Sequence, residues 1–193
     1  MTKDQSTLFD HPEGYGAISR ALHWLMAALF AWQFLSVILH AVDREMPAAR
    51  FFWSWHMSVG FLLLIAVVLR GVWALVNLGN RPRHAAGFLG VAARLGHLAL
   101  YLLMLAVPTV AVLRAYGSGR GFSAFGIEVF AGGGERIPEL MAPANAVHGL
   151  LGWALLALTL GHIAMALAHT YLWRQDTLTR MVRGRPAPIG GAE

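Results

Sequence analysis

The chain contains no cysteine in 193 residues. Disulfides, Cys-ligated zinc, iron–sulfur clusters and thiolate-ligated haem are therefore excluded, and so is covalent c-type haem attachment, which needs Cys-x-x-Cys-His. Charge is also scarce. Asp, Glu, Lys and Arg make up 13% of the residues, where soluble domains carry about 25%. Hydrophobic residues make up 57%, and mean hydropathy is +0.55. Such a chain reads as an integral membrane protein rather than one with a large soluble core. The formal net charge of +5 does not point to nucleic acid, because the basic residues sit at the ends of apolar runs and in short loops, where they set membrane topology. Residues 1–18 are polar, carry Pro12 and Gly14, and lack the charged start and short apolar core of a cleavable signal peptide.

Four apolar runs are long enough to cross a bilayer, which takes about 20 residues. They are expected at about 21–42, 51–76, 93–113 and 146–173. The second opens with Phe51, Phe52, Trp53 and Trp55, an aromatic group of the kind found at membrane interfaces. The third contains Pro108, which is expected to bend it and which membrane helices tolerate. Between the third and fourth lies a glycine-rich loop containing GFSAFGIEVF, read as a short strand or interfacial turn, and the run Gly132-Gly133-Gly134. The expected organisation is an N-terminal segment 1–18, a membrane domain 19–175 and a tail 176–193, with no internal repeat.

Four spans put both termini on one side. On that side lie Lys3, Arg20, Arg70, Arg81, Arg83, Arg94, Arg174, Arg180, Arg183 and Arg185, ten basic residues. The other side has Arg44, Arg50, Arg114, Arg120 and Arg136, five, balanced by Asp43, Glu45, Glu128, Glu135 and Glu139. Basic residues accumulate on the cytoplasmic side, so both termini are expected in the cytoplasm.

Nine histidines are present. His148 and His162 lie on the fourth run, 14 positions apart (162 − 148). On a helix they are roughly 40° apart around the axis and about 21 Å apart along it. One face therefore presents two imidazoles, one near each side of a membrane. Buried polar groups in a membrane are costly and mark functional positions. Two readings stand: ligands for two stacked haem irons, or interhelical hydrogen-bonding and packing residues. Depth supplies partners. His56 and His40 lie near the outer end with His148. His23 is 17 residues in from His40, roughly 25 Å, which matches His162. His97 lies at a similar depth. A porphyrin also needs little bulk one turn away, at i+4. That position holds Ala27 after His23, Gly60 after His56, Gly152 after His148 and Ala166 after His162. It holds Tyr101 after His97, Arg44 after His40 and Trp173 after His169. Depth and bulk together select His56 with His148 and His23 with His162. Zinc fits less well, with two histidines per site and no nearby acid.

The segments SRALHW around His23, LGHLALYLLMLAVP around His97 and LGHIAMALAHTYLWRQDTLTRM around His162 resemble the bacterial cytochrome b561 family. The likeness runs from about Ser19 to Arg183. It implies an all-α fold, a transmembrane four-helix bundle binding two b-type haems, each with two histidine ligands, in the bacterial inner membrane. The family's four ligands correspond to His23, His56, His148 and His162. Some members resemble superoxide oxidases, which pass electrons from superoxide to ubiquinone. Others are cytochrome b subunits that exchange electrons between quinone and a periplasmic redox partner. The loop YGSGRGFSAFG, Tyr116 to Gly126, resembles the superoxide-oxidase type.

Other residues carry two readings each. Arg20, one turn before His23, either pairs with a haem propionate or marks the inner face. His97 either bonds a propionate or lines a quinone pocket, or it faces headgroups at a helix end. Arg114 and Arg120, on the outer side, are suited to steering a small anion. The reading from a different class is a non-redox structural or transport bundle, which a dithionite-reduced visible spectrum would separate by the absence of a Soret band.

Overall fold

In a computed structural model, residues 8–82 and 87–184 are described. Four helices are long and apolar enough to cross a membrane: α1 (Ala17–Val42), α3 (His56–Val76), α4 (Phe88–Gly117) and α5 (Pro138–Tyr171). Two shorter helices, α2 (Pro47–Ser54) and α6 (Thr177–Val182), and a hairpin of β1 (Phe122–Ala124) and β2 (Ile127–Phe130) complete the elements. The fold is a mostly helical membrane bundle. Large apolar side chains such as Leu69, Val72, Leu102 and Leu150 stay exposed on the helices, as lipid contact allows.

The second apolar run divides into two helices. Pro47 opens α2 at a first-turn position, where its missing N–H costs nothing. The helix stops at Trp55, and α3 begins at His56 rather than at 51. The aromatic stretch 51–54 therefore lies on a separate helix, where Trp32 of α1 meets Phe51 and Phe52 with ring centres 6.0 and 4.5 Å apart. α4 begins at Phe88, after Gly87 at φ 82, and carries Pro108 in its interior. α5 begins at Pro138, eight residues before the expected start at 146, and ends at Tyr171.

α1 packs against α2 and α3, α3 against α4, and α4 along α5. One core cluster joins Met26 of α1 with Ala66 and Val67 of α3, with Leu29, Phe30 and Met104 against it. The hairpin caps α3 at one end, with Phe125 N–H donating to Ser58 Oγ (3.4 Å). This is called the hairpin end below, and the opposite one the terminal end.

At the terminal end two chain segments strap the helices. Asp10, whose side chain is wholly buried, takes Arg81 Nε at 3.1 Å and the Gly16 N–H at 2.9 Å. The Asp10 N–H donates to Asn77 Oδ1, and Asn77 itself is fully buried. Burial also pushes the Tyr15 phenol above its ordinary pKa. From the other terminus, Val182 and Met181 offer carbonyls to Arg20 (2.8 Å) and to Trp24 Nε1 (3.1 Å). The segment before α1 and part of the expected tail are thus folded onto the bundle. Lys3, Arg83, His84 and Arg185 lie outside the described residues.

Candidate functional site

Two histidine pairs stand between helices. His56 of α3 faces His148 of α5 with ring centres 6.3 Å apart, and His23 of α1 faces His162 of α5 at the same 6.3 Å. The first pair is at the hairpin end, the second at the terminal end. An imidazole bound through one nitrogen at about 2 Å has its ring centre about 3 Å from the metal ion. Two rings in line across one ion are then about 6 Å apart, which both pairs match. Among the described residues no group of three or more His, Cys, Asp or Glu side chains is placed to hold a metal ion; each site offers two imidazoles.

The hydrogen bonds at the hairpin end set which nitrogen is available. His148 Nδ1 lies 3.1 Å from the Val107 carbonyl. A carbonyl only accepts, so Nδ1 carries the proton and Nε2 the lone pair. His56 Nδ1 lies 2.9 Å from Ser36 Oγ, which donates its own proton to the Gln33 carbonyl at 2.7 Å. The hydroxyl therefore accepts from His56 Nδ1–H, and Nε2 again holds the lone pair. Gln33 Nε2 donates to that lone pair (3.2 Å) and to the His56 carbonyl (3.1 Å). Both rings carry the lone pair on Nε2 with Nδ1 held from behind, the arrangement that orients metal-binding histidines; at His56 the Gln33 amide occupies that lone pair and would have to turn away for a metal to bind. His56 is also stacked on Trp53 (4.8 Å, 23°), which is stacked on His40 (3.8 Å, 9°).

A Cβ added at Gly152 would meet nothing within 4 Å, and one at Gly60 would stand 3.3 Å from Gln33 Nε2. A planar ring has room beside Gly152.

The terminal-end pair has a different surround. His97 of α4 also approaches His162, with ring centres 5.3 Å apart, while its Nδ1 lies 2.8 Å from its own helix's Ala93 carbonyl. Arg70 of α3 sits near enough for its charge to act on both His23 and His162. Its Nε donates to Tyr101 Oη (3.1 Å) and its Nη1 to the Ser19 carbonyl (3.2 Å). Arg20 is turned to the Val182 carbonyl, and its Nε is buried with no partner among the described residues.

The expected quartet His23, His56, His148 and His162 is therefore brought together as two pairs. Ser36, Gln33, Val107 and Arg70 were missed in the sequence. Arg70 alone had a legible signal, a cation inside the apolar run VVLRGVW, which reads as functional by default. Arg114 and Arg120 are both exposed at the hairpin end.

The sequence profile of the family described as prokaryotic cytochrome b561 matches residues 14–184. The chain is 32% identical over 187 residues to cytochrome b561 homolog 2 of Escherichia coli (strain K12), covering 89% of this chain and 92% of that protein. It is 26% identical over 175 residues to the probable superoxide oxidase CybB of Yersinia pestis, covering 87% and 95%. It is 29% identical over 177 residues to cytochrome b562 of Cereibacter sphaeroides, covering 89% and 97%.

Proposed function

Because the chain belongs to the prokaryotic cytochrome b561 family, a family of bacterial electron-transferring membrane cytochromes, we propose that it is a di-haem superoxide:ubiquinone oxidoreductase of the inner membrane. The observation that carries this is the pair of facing imidazole sites with equal 6.3 Å centre separations, joined by a single helix that contributes His148 to one and His162 to the other.

When bound, a b-type haem supplies a one-electron carrier that needs no open coordination position. The chain's own residues do the rest. His56 and His148 would hold one such group, and His23 and His162 the other. Ser36 and the Val107 carbonyl fix the ring tautomers at the hairpin end. Arg70 offers a fixed positive charge at the terminal end, beside Arg20, for which pairing with a propionate is one of two readings. The two sites, about 21 Å apart along α5, give a route across the bilayer.

The overall reaction balances as follows. Two superoxide anions each lose one electron and become dioxygen, and one ubiquinone gains the two electrons and two protons from water to become ubiquinol. Arg114 and Arg120 lie at the hairpin end, which the excess of basic residues at the terminal end assigns to the periplasm. There they raise the local concentration of a small anion.

The likeness to a probable superoxide oxidase supports this reading. A second reading has its own support. The relative that is 32% identical is named a cytochrome b561 homolog, and the hairpin leaves Ile127 and Val129 exposed. Those apolar side chains suit a periplasmic redox protein exchanging electrons with the quinone pool. Stopped-flow mixing of the oxidised protein with a superoxide flux, with and without ubiquinone, decides. The expected result is rapid growth of the reduced Soret and α bands, reversed by ubiquinone. Haems that stay oxidised under superoxide yet reduce with ubiquinol or a periplasmic donor would establish the second reading.

A further inference from the structure

We infer that the β1–β2 hairpin is seated in the bilayer at the hairpin end, with Ile127 and the Phe125 ring against phospholipid acyl chains. This goes beyond the electron-transfer reading and stands whichever donor serves it. It also gives Ile127 a different neighbour from the periplasmic protein of the second reading.

The hairpin has two unlike faces. Residues directly opposite each other on paired strands share a face, and here the pairs are Ala124 with Ile127 and Ser123 with Glu128. Ser123 and Glu128 are polar and exposed. The other face rests on α3. Ala124 is buried, and the Phe122 ring meets Phe61 with centres 5.6 Å apart. Ile127 belongs to this apolar face, but it overhangs the helix and stays 73% exposed. An isoleucine pointing the same way as the packed residues, and away from a carboxylate, points into the membrane if the hairpin lies at membrane depth.

The depth follows from α3. This helix has 21 residues, about 31 Å at helical rise, and the hydrocarbon core is about 30 Å thick. Its first residue, His56, therefore marks the edge of that core. The hairpin meets the chain at Trp55, Ser58 and Phe61. These positions run from one residue outside the edge to five residues inside it (61 − 56), about 8 Å. A turn at that level needs its backbone polar groups met by protein. The Phe125 N–H is met by Ser58 Oγ at 3.4 Å, and the Phe125 ring is stacked on Trp55 (5.8 Å, 22°).

The apolar face is continuous with the lipid-facing surface of the bundle. Phe125, 48% exposed, stands at the rim of a groove of about 530 Å³ that reaches down to Ala28 of α1 and Leu62 of α3. All eight residues lining it are apolar, so water has no partner there and acyl chains do. Phe51, Trp53 and Trp55 are exposed beside it, the composition of an interfacial belt.

The test exploits the absence of cysteine from the chain. Ile127→Cys, Glu128→Cys and Glu135→Cys are each made as single variants of the full-length protein. They are placed in nanodiscs of phosphatidylethanolamine and phosphatidylglycerol, with circular dichroism checking the fold. A polyethylene-glycol maleimide should shift the Glu128→Cys and Glu135→Cys proteins on a denaturing gel. It should leave Ile127→Cys unmodified until SDS is added. In wild-type protein, a phospholipid with a diazirine on its acyl chain should crosslink to the peptide holding Phe125 and Ile127. That arm needs no substitution, so it stands even where a variant fails to fold. Modification of Ile127→Cys as fast as Glu128→Cys would put this face in water and overturn the inference. Protection of Ile127→Cys without a lipid crosslink would mean that protein, such as a second copy of the chain, covers it, and would overturn it equally. Protection of Glu128→Cys as well would overturn the two-faced seating.

Discussion

At the scale of single residues, the chemistry depends on which ring nitrogen each histidine presents. His148 is fixed by a backbone carbonyl that exists whatever the side chain at 107, and His56 by Ser36. Ser36→Ala leaves the ring free to turn and weakens its basicity. Loss of such an orienting partner costs about 10–100-fold in metal affinity or activity. The expected outcome is a shifted midpoint potential for one haem only, read by redox titration, with easier loss of that haem. His148→Ala and His162→Ala should each remove one of two b haems in a pyridine haemochrome assay. A wild type with one haem or none would sink the two-pair assignment. His97→Ala should keep both, because its i+4 neighbour Tyr101, engaged by Arg70, crowds the face a porphyrin would need. Loss of a haem from that variant, with both retained in His23→Ala, would exchange His97 for His23 as the ligand. The facing of the two pairs was legible, since helical spacing puts His148 and His162 on one face whatever the rest of the chain does. Arg70 was not read as a partner of the terminal-end pair. Its contact with Tyr101 spans 31 positions between two helices, and no periodicity on one helix reports it.

At the scale of elements, apolar runs gave the helices but not their ends. The stretch Phe51 to Trp55 is as apolar as the span after it, so hydropathy alone cannot separate α2 from α3. Pro47 shows where α2 starts, but no glycine or proline stands at Trp55 to show where it ends. The hairpin was visible as strand or turn, but its glycines act through close backbone approach. A Cβ at Gly132 would lie 2.6 Å from the Arg120 carbonyl oxygen, and Gly121 combines φ +75 with a Cβ position 2.5 Å from the Gly132 nitrogen. Gly121→Ala should destabilise this loop by about 1–3 kcal/mol, seen as faster proteolysis there at unchanged haem content. Phe125→Gly has the opposite sign. Glycine adopts φ 53 freely, so the loop should become more protease-resistant; faster cleavage there would show that the stacking of the Phe125 ring on Trp55 outweighs its backbone cost.

At the scale of the whole molecule, the terminal end is tied by polar straps and the hairpin end by aromatic contacts. The straps run through Asp10, Arg81 and Asn77 on one side and through Arg20, Trp24 and α6 on the other. Removing the buried Asp10 carboxylate leaves Arg81 and the Gly16 N–H without their acceptor, so Asp10→Ala should cost about 2–3 kcal/mol and lower the thermal midpoint without changing the visible spectrum. The same asymmetry bears on orientation. Arg20, Arg70, Arg81, Arg94, Arg174, Arg180 and Arg183 all sit at the terminal end among the described residues, and Lys3, Arg83 and Arg185 add to that side in the sequence. Arg44, Arg50, Arg114, Arg120 and Arg136 sit at the other, where Arg50 is already paired with Glu45. Short loops with more Lys and Arg are retained in the cytoplasm. Ten against five is therefore expected to orient the terminal end inward and the hairpin end outward. A C-terminal alkaline phosphatase fusion should be inactive, and a fusion placed in the Gly132–Gly134 run should be active. The reverse pattern would put the hairpin in the cytoplasm, and superoxide arriving from the periplasm would then meet the His23–His162 end first.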